Sequence, residues 1–287
     1  MSISIKNRSL TMSNSNAQKT VLILGLSSDI GQELANRYSE KGFAVIGTCR
    51  NSKKMKEFCE TNHIHSIPCD VSNNNSITSA INNFSNLHIP WDIFISCIGS
   101  MTPIGKFVDV TFSEWEKSIE INAIKQLSFL HSIYPYRREN SMCHVVFFAG
   151  GGTNGPFPNY SAYCASKIFL IKMCELLDDE IPDINPFIIG PGWVRTKIHK
   201  ETLNSVQGAG NNYQRTLEFL ESNETGTNFG EIFNCINWCI KQGKSVAGGR
   251  NFSLVHDLWR DNEGDTLIEQ LQEDTDKFKM RRFKNSI

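Results

Sequence analysis

The sequence lacks the spacings that hold metals or disulfides. Its nine cysteines (Cys49, Cys59, Cys69, Cys97, Cys143, Cys164, Cys174, Cys235 and Cys239) are an odd, scattered set without a CxxC pair. That pattern excludes a disulfide framework and predicts a chain kept in a reducing cytoplasm. Cys235 and Cys239 are i,i+4 in an apolar stretch, a spacing that suits packing. Seven histidines occur without an HxxxH or HExxH spacing, so no metal is expected. An excess of charge is missing too: the net charge is −1, which leaves no electrostatic footprint for nucleic acid or an anionic membrane. No apolar run approaches the roughly 18 residues that a membrane span needs. The opening MSISIKNRSLTMSNSNAQK has no continuous apolar core of a secretory signal, and residues 1–18 read as a disordered polar tail. Repeats are absent.

What is present is a soluble-type composition over 287 residues, 40% hydrophobic and 21% charged, with enough apolar material for a full core. From residue 20 to about 255, β-type apolar runs alternate with helical stretches. VLILGL (21–26), FAVIGTCR (43–50), IHSIPCD (64–70), WDIFISCIG (91–99), CHVVFFAG (143–150), NPFIIGPG (185–192) and GGRNFSLV (248–255) read as strands. Helices are expected over 30–42, 52–62, 76–86, 112–135, 161–180 and 228–242. Strands apolar throughout and separated by helices predict an α/β, Rossmann-type doubly wound parallel β-sheet with helices on both faces. A single domain is expected over 19–260. The polar stretch 197–227 interrupts the alternation as a candidate substrate loop or lid, and 261–287 reads as a charged surface extension.

The first strand runs into LGLSSDIG (24–31). Gly25 permits a tight turn and Gly31 close packing of the helix that starts at Ile30. Ser27, Ser28, Asp29 and Ile30 between them would present backbone N–H groups to a pyrophosphate. Asp29 stands where many such loops have glycine, and its charge must point away from the phosphates. After the second strand the chain reads TCRN, with Arg50 where a protein preferring NAD carries an acid. A guanidinium suits a 2′-phosphate, so NADP is expected over NAD.

With these residues and those that follow, the chain resembles the classical short-chain dehydrogenase/reductases over roughly 19–255. GLSSDIG is similar to the family's cofactor loop. Asp70 and Val71 match the adenine-contacting pair. Ser96, Cys97, Ile98 and Gly99 stand in place of Asn-Asn-Ala-Gly, keeping only the glycine. Asn122 in IEINAI matches the helix asparagine, and Tyr163 and Lys167 match the YxxxK pair. Pro191, Gly192, Val194 and Thr196 lie in PGWVRT, the segment that cradles a nicotinamide. The order and spacing agree as well, with 138 positions from Gly25 to Tyr163 and 41 from Asn122 to Tyr163.

Residues four apart share a helix face, so Lys167 can sit near Tyr163 and pull the phenol pKa down from its usual value near 10. The resemblance implies an oxidoreductase interconverting an alcohol and a carbonyl. Tyr163 would be its acid–base, Lys167 a ribose contact, Asn122 a water holder, and Cys97, Gly99 and Thr196 further cofactor contacts. One position departs. Thirteen residues before Tyr163, where the family has serine, stands Gly150, followed by Gly151 and Gly152. Losing such a donor costs about 3–4 kcal/mol of transition-state stabilisation by analogy with oxyanion holes. Thr153, Asn154 or the glycine N–H groups are the replacement donors to consider. The alternative is a catalytically weak NADP-binding protein with a regulatory or partner-binding role. A small-molecule substrate of sugar type is expected from a loose likeness at AGGGT and GGRNFSLVHDLW. The polar residues His199, Asn204, Gln207, Asn211 and Asn212 agree with it. The family habit implies a homodimer or homotetramer through the helices at 112–135 and 161–180.

Overall fold

The alternation seen in the sequence becomes a seven-stranded sheet in the computed structural model of the protein, which describes residues 18–50, 52–222 and 226–282. The strands are β1 Thr20–Leu24, β2 Ala44–Cys49, β3 His65–Pro68, β4 Ile93–Ser96, β5 Cys143–Phe148, β6 Ile184–Gly190 and β7 Asn251–Ser253. Every pair is parallel, in the order β3-β2-β1-β4-β5-β6-β7. Successive side chains leave a strand on opposite faces, and both faces here are covered. Val21 and Ile23 enter one apolar core, while Leu22 and Leu24 enter the other. That is why these strands are apolar throughout. The expected tail falls mostly at residues 1–17, outside the described residues.

The helices are α1 Asp29–Glu40, α2 Lys53–Thr61, α3 Asn74–Ser85, α4 Phe112–Ile119, α5 Lys125–Ile133 and α6 Ser161–Glu180. They continue with α7 His199–Leu203, α8 Val206–Ala209, α9 Asn211–Glu221, α10 Phe229–Gln242, α11 Lys244–Ala247 and α12 Asp261–Glu273. Polar caps start several of them: Ser28 accepts from Gly31 N at the head of α1, and Asn228 accepts from Glu231 N at the head of α10. One core centres on Phe94, whose ring lies 6.1 Å from Phe129 and 6.2 Å from Phe147. Each such ring contributes about 1.5–3 kcal/mol on burial. The single helix expected over 112–135 is interrupted. A π turn, Glu120–Ile124, joins α4 to α5, and it falls on Asn122, in keeping with the habit of π turns to sit at functional positions.

Within 197–227, the candidate substrate loop or lid, the described residues form α7, α8 and α9. The stretch after 260 is not only a charged surface: Leu267 and Leu271 of α12 are buried in the same core as Phe252. Arg250 ties this segment down from a buried position. Its guanidinium donates to the carbonyls of Val246, Leu271 (2.6 Å), Asp274 (3.2 Å) and Lys277 (3.0 Å). Burial holds its pKa below the usual arginine value. Arg250→Met leaves those acceptors without their donor, and the expected cost is about 3 kcal/mol in urea unfolding. A cost under about 0.5 kcal/mol would mean that water takes over the guanidinium's bonds.

Candidate functional site

In parallel sheets the loops after successive strands emerge on one edge, and the strand order here reverses between β1 and β4. A crevice opens at such a reversal. The loop from β1 to α1 forms one wall. Gly25 has φ +87°, and a Cβ on it would lie 2.7 Å from Ile98 Cδ1. A Cβ on Gly31 would lie 2.7 Å from Gly25 O. Only glycine permits the turn and the close seating of α1 that these distances describe. Ser27, Ser28 and Ile30 lie between them. Asp29 does point away, toward the chain after β6: Lys197 N donates to its Oδ2 at 2.6 Å. The residues fit a dinucleotide here, with glycines at both ends of the turn and a helix start behind it.

The other expected contacts lie around this wall. Arg50 is exposed just after β2. Asp70 accepts from Ser72 N at 2.9 Å and Ser72 Oγ at 2.7 Å, and these bonds hold its carboxyl below the usual range, with Arg50 adding to the effect. Val71 packs against the core that contains Phe94. Cys97 continues the β1 pairing through its N–H to Leu24 O at 2.8 Å, and burial pushes its thiol up to about 12. Gly99 follows in the same loop. Beyond β6, Pro191 and Gly192 lead to Val194, which bridges to Gly226. Thr196 then leads into α7.

Tyr163 and Lys167 lie on one face of α6, both buried, with Lys167 Nζ 5.7 Å from the Tyr163 ring centre. Lys167 Nζ donates to Ile98 O at 3.4 Å. The expectation that the ammonium lowers the phenol pKa is not met. Burial raises Tyr163 well above 10, with Cys164 and Glu201 adding to the rise, and burial lowers Lys167 to about 8. Desolvation penalises the charged form of each. Asn122 is fully buried, and its side chain accepts from Ser100 N and donates to Ser100 O, both at 2.9 Å. Its carbonyl accepts from Gln126 Nε2 at 2.5 Å. Asn122 thus clamps the β4 loop, a role that its sequence match did not indicate.

Gly150 is more than a missing hydroxyl. A Cβ there would lie 2.6 Å from Tyr163 Cζ, so the phenol fills the space that a side chain at 150 would need. Thr153, one candidate replacement donor, gives its hydroxyl to Gly150 O at 3.0 Å, and Asn154 is exposed. Among the described residues Tyr163 Oη makes no hydrogen bond. Tyr163 shares a small hydrophobic cluster with Tyr160 and Ala209, against which Met101, Ile104, Phe157, Cys164 and Tyr213 pack.

Several residues of the site carried no signal in the sequence. Glu201 Oε2 accepts from Met101 N and from Ser100 Oγ at 3.1 Å, and its neighbour Thr202 shares a 2.9 Å bond with Tyr160 Oη. These contacts fasten α7 over Tyr163. Of the polar residues counted toward a sugar ligand, His199 is spent on Val194 O at 2.9 Å and stacks on Trp193. Asn212 is buried and bonds Pro158 O at 3.1 Å. Asn204, Gln207 and Asn211 are exposed. Among the described residues no group of three or more His, Cys, Asp or Glu side chains is placed to hold a metal ion. No helix there is long and apolar enough to cross a membrane.

Comparison with known proteins places this geometry. A family model described as short chain dehydrogenase matches residues 19–207. An Arabidopsis thaliana protein, 11-beta-hydroxysteroid dehydrogenase-like 3, is 31% identical over 198 residues, which is 63% of this chain and only 60% of that one. The crystal structure of the KRED1-Pglu enzyme superposes with a TM-score of 0.73 at 18% identity, covering 82% of this chain and all of that one. BdcA in complex with NADPH gives a TM-score of 0.66 at 19% identity, over 82% and 92% of the two chains.

Because Tyr163 fills the volume beside position 150, Gly150→Ser is expected to force the phenol aside. The expected cost is about 1–3 kcal/mol of overpacking, read as a lower unfolding midpoint. An unchanged midpoint would show that the Tyr163 ring swings away without strain.

Proposed function

The chain belongs to the short-chain dehydrogenase family, and from that premise we propose that it is an NADP-dependent oxidoreductase interconverting an alcohol and a carbonyl. The observation that carries this reading is the pairing of Tyr163 with Lys167 on α6, at the same sheet edge as the Gly25–Gly31 loop. Hydride transfer is the chemistry that the dinucleotide supplies when bound. The chain's part is to hold it, to exclude water and to handle one proton at Tyr163 Oη. Ser27, Ser28, Ile30 and the two glycines would hold the diphosphate. Asp70 and Val71 would flank the adenine, and Cys97 and Gly99 would line the crevice. Pro191, Gly192, Val194 and Thr196 would seat the nicotinamide end. Lys167 would reach its ribose.

NADP rather than NAD is supported by Arg50. It stands exposed at the end of β2 with no acid of that turn to take a ribose hydroxyl. The NADPH complex of BdcA agrees with this for that protein. The substrate side is read from the small hydrophobic cluster that Tyr163 shares with Tyr160 and Ala209. It favours a carbonyl compound with an apolar face next to the reacting carbon. The sugar expected from the sequence keeps less support, since His199 and Asn212 are engaged elsewhere. A second reading, a cofactor-binding protein of weak activity, rests on one observation: no side-chain hydroxyl stands at Gly150, and the phenol occupies its place. A single domain over 19–260 that includes a lid at 197–227, and pairing of copies through α4 to α6, complete the proposal.

Two measurements test it. Tyr163→Phe should lower kcat on a responding carbonyl compound by about 10²- to 10⁴-fold while NADPH affinity stays unchanged. Equal turnover by the two proteins would sink the assignment of Tyr163, and cofactor binding without any Tyr163-dependent turnover would favour the second reading. In a separate titration, Arg50→Ala should weaken NADPH binding about tenfold or more and leave NADH binding nearly unchanged. Equal effects on both would argue against the 2′-phosphate contact.

A further inference from the structure

Asp29 is the one charged residue in the β1–α1 turn, where its carboxylate would repel a diphosphate. The structure supplies its counter-charge from 168 positions away. Lys197 N donates to Asp29 Oδ2 at 2.6 Å, and Lys197 Nζ lies 3.7 Å from Asp29 Oδ1. The same ammonium also donates to Ser27 O. Lys197 therefore leans across the crevice from the chain after β6 and rests on the rim of the turn. Its side chain remains 54% exposed. An ammonium has three donors. Ser27 O takes one of them, and Asp29 stands at ion-pair rather than hydrogen-bonding distance.

We propose that Lys197 is a diphosphate-binding residue of the cofactor crevice, held in place by Asp29. This rests on the reading of the crevice as a dinucleotide site. Three observations converge on it. Glycines stand at both ends of the turn, at Gly25 and Gly31, where a Cβ would clash, and they seat the head of α1 close against it, its N–H groups free to meet an anion. The ammonium is bonded to a carbonyl of that same turn. Its carboxylate partner is two-thirds buried at the side chain and is fixed by a backbone N–H as well as by the ammonium. The arrangement keeps a positive charge poised without leaving the carboxylate free to repel the phosphates. It also explains how a turn can carry aspartate in place of glycine and still take an anion.

The test is a binding titration followed by nicotinamide fluorescence, which needs no turnover. Wild-type protein, Lys197→Met, Lys197→Arg and Asp29→Asn are titrated with NADPH and, by competition, with adenosine 2′-monophosphate, which has no diphosphate. Loss of a charge-assisted bond in Lys197→Met should weaken NADPH about 10- to 100-fold. Lys197→Arg should stay within about threefold of wild type, since it keeps the charge. Asp29→Asn should bind NADPH as well as wild type or more tightly, because it removes the only negative charge of the turn. Adenosine 2′-monophosphate should bind all four proteins alike. If Lys197→Met binds NADPH as wild type does, the proposal is overturned. Equal weakening by Lys197→Met and Asp29→Asn would overturn it too, by showing that the pair only straps α7 to α1. Loss of adenosine 2′-monophosphate by Lys197→Met would also count against it, because the crevice itself would then be disturbed. Failure of the wild-type chain to bind NADPH would remove the dinucleotide reading and this inference together.

Discussion

The candidate site hangs on one pair of hydrogen bonds, those by which Asn122 grips both backbone groups of Ser100. The loop after β4 has no regular structure of its own, and it is held from the helices by Asn122 on one side and by Glu201 of α7 on the other. Four contacts depend on its position. Ile98 lies close over Gly25 at the head of the β1–α1 turn, and Ile98 O takes the Lys167 ammonium. Ser100 Oγ and Met101 N hold Glu201 of α7. The π turn at Glu120–Ile124 is what makes the grip possible. It shifts the helical register by one residue and leaves Asn122 O to Gln126, whose Oε1 in turn accepts from Ser96 Oγ at 2.6 Å. The sheet edge and the α4–α5 helix are thereby joined through this buried amide, and α7 through Glu201.

Burial dominates the chemistry of this centre. Tyr163 and Lys167 share one face of α6, and for each the largest effect is the loss of water around its charged form. The result is a phenol that holds its proton and a lysine brought toward neutrality. Asp29 and Lys197, by contrast, meet at the half-exposed rim, where an ion pair has little desolvation to overcome. The interior of the crevice therefore carries few full charges, and its edge carries compensated ones.

Much of this is legible in the sequence, for identifiable reasons. Strands buried on two faces must be apolar throughout, and β1, β4, β5 and β6 are recognisable that way. Gly25, Gly31, Tyr163 and Lys167 form local patterns whose geometry follows from turn and helix periodicity alone. What is not legible is long-range. No property of Asp29 points to Lys197, and none of Glu201 points to Met101, because each pairing is decided by where β6 delivers the chain. The amphipathic spacing of Leu267, Ile268 and Leu271 is present in the sequence but lies under the charges around it, so α12 resembles surface. Arg250 likewise looks like an ordinary charge beside a strand, whereas it is the anchor of that helix.

Gly150 shows why a single missing group is an incomplete description of a site. Counting residues back from Tyr163 identifies an absent hydroxyl and suggests that adding one would restore a contact. The packing contradicts that arithmetic, since the phenol already stands where a Cβ would go. Residues that share one volume do not contribute additively. A serine at 150 would require a different seat for Tyr163, and moving Tyr163 would carry with it Cys164, whose thiol donates to Gly151 O at 3.4 Å and crowds Gly152. The glycine run and the head of α6 are one packed unit. A change at position 150 is for that reason a change at Tyr163 as well.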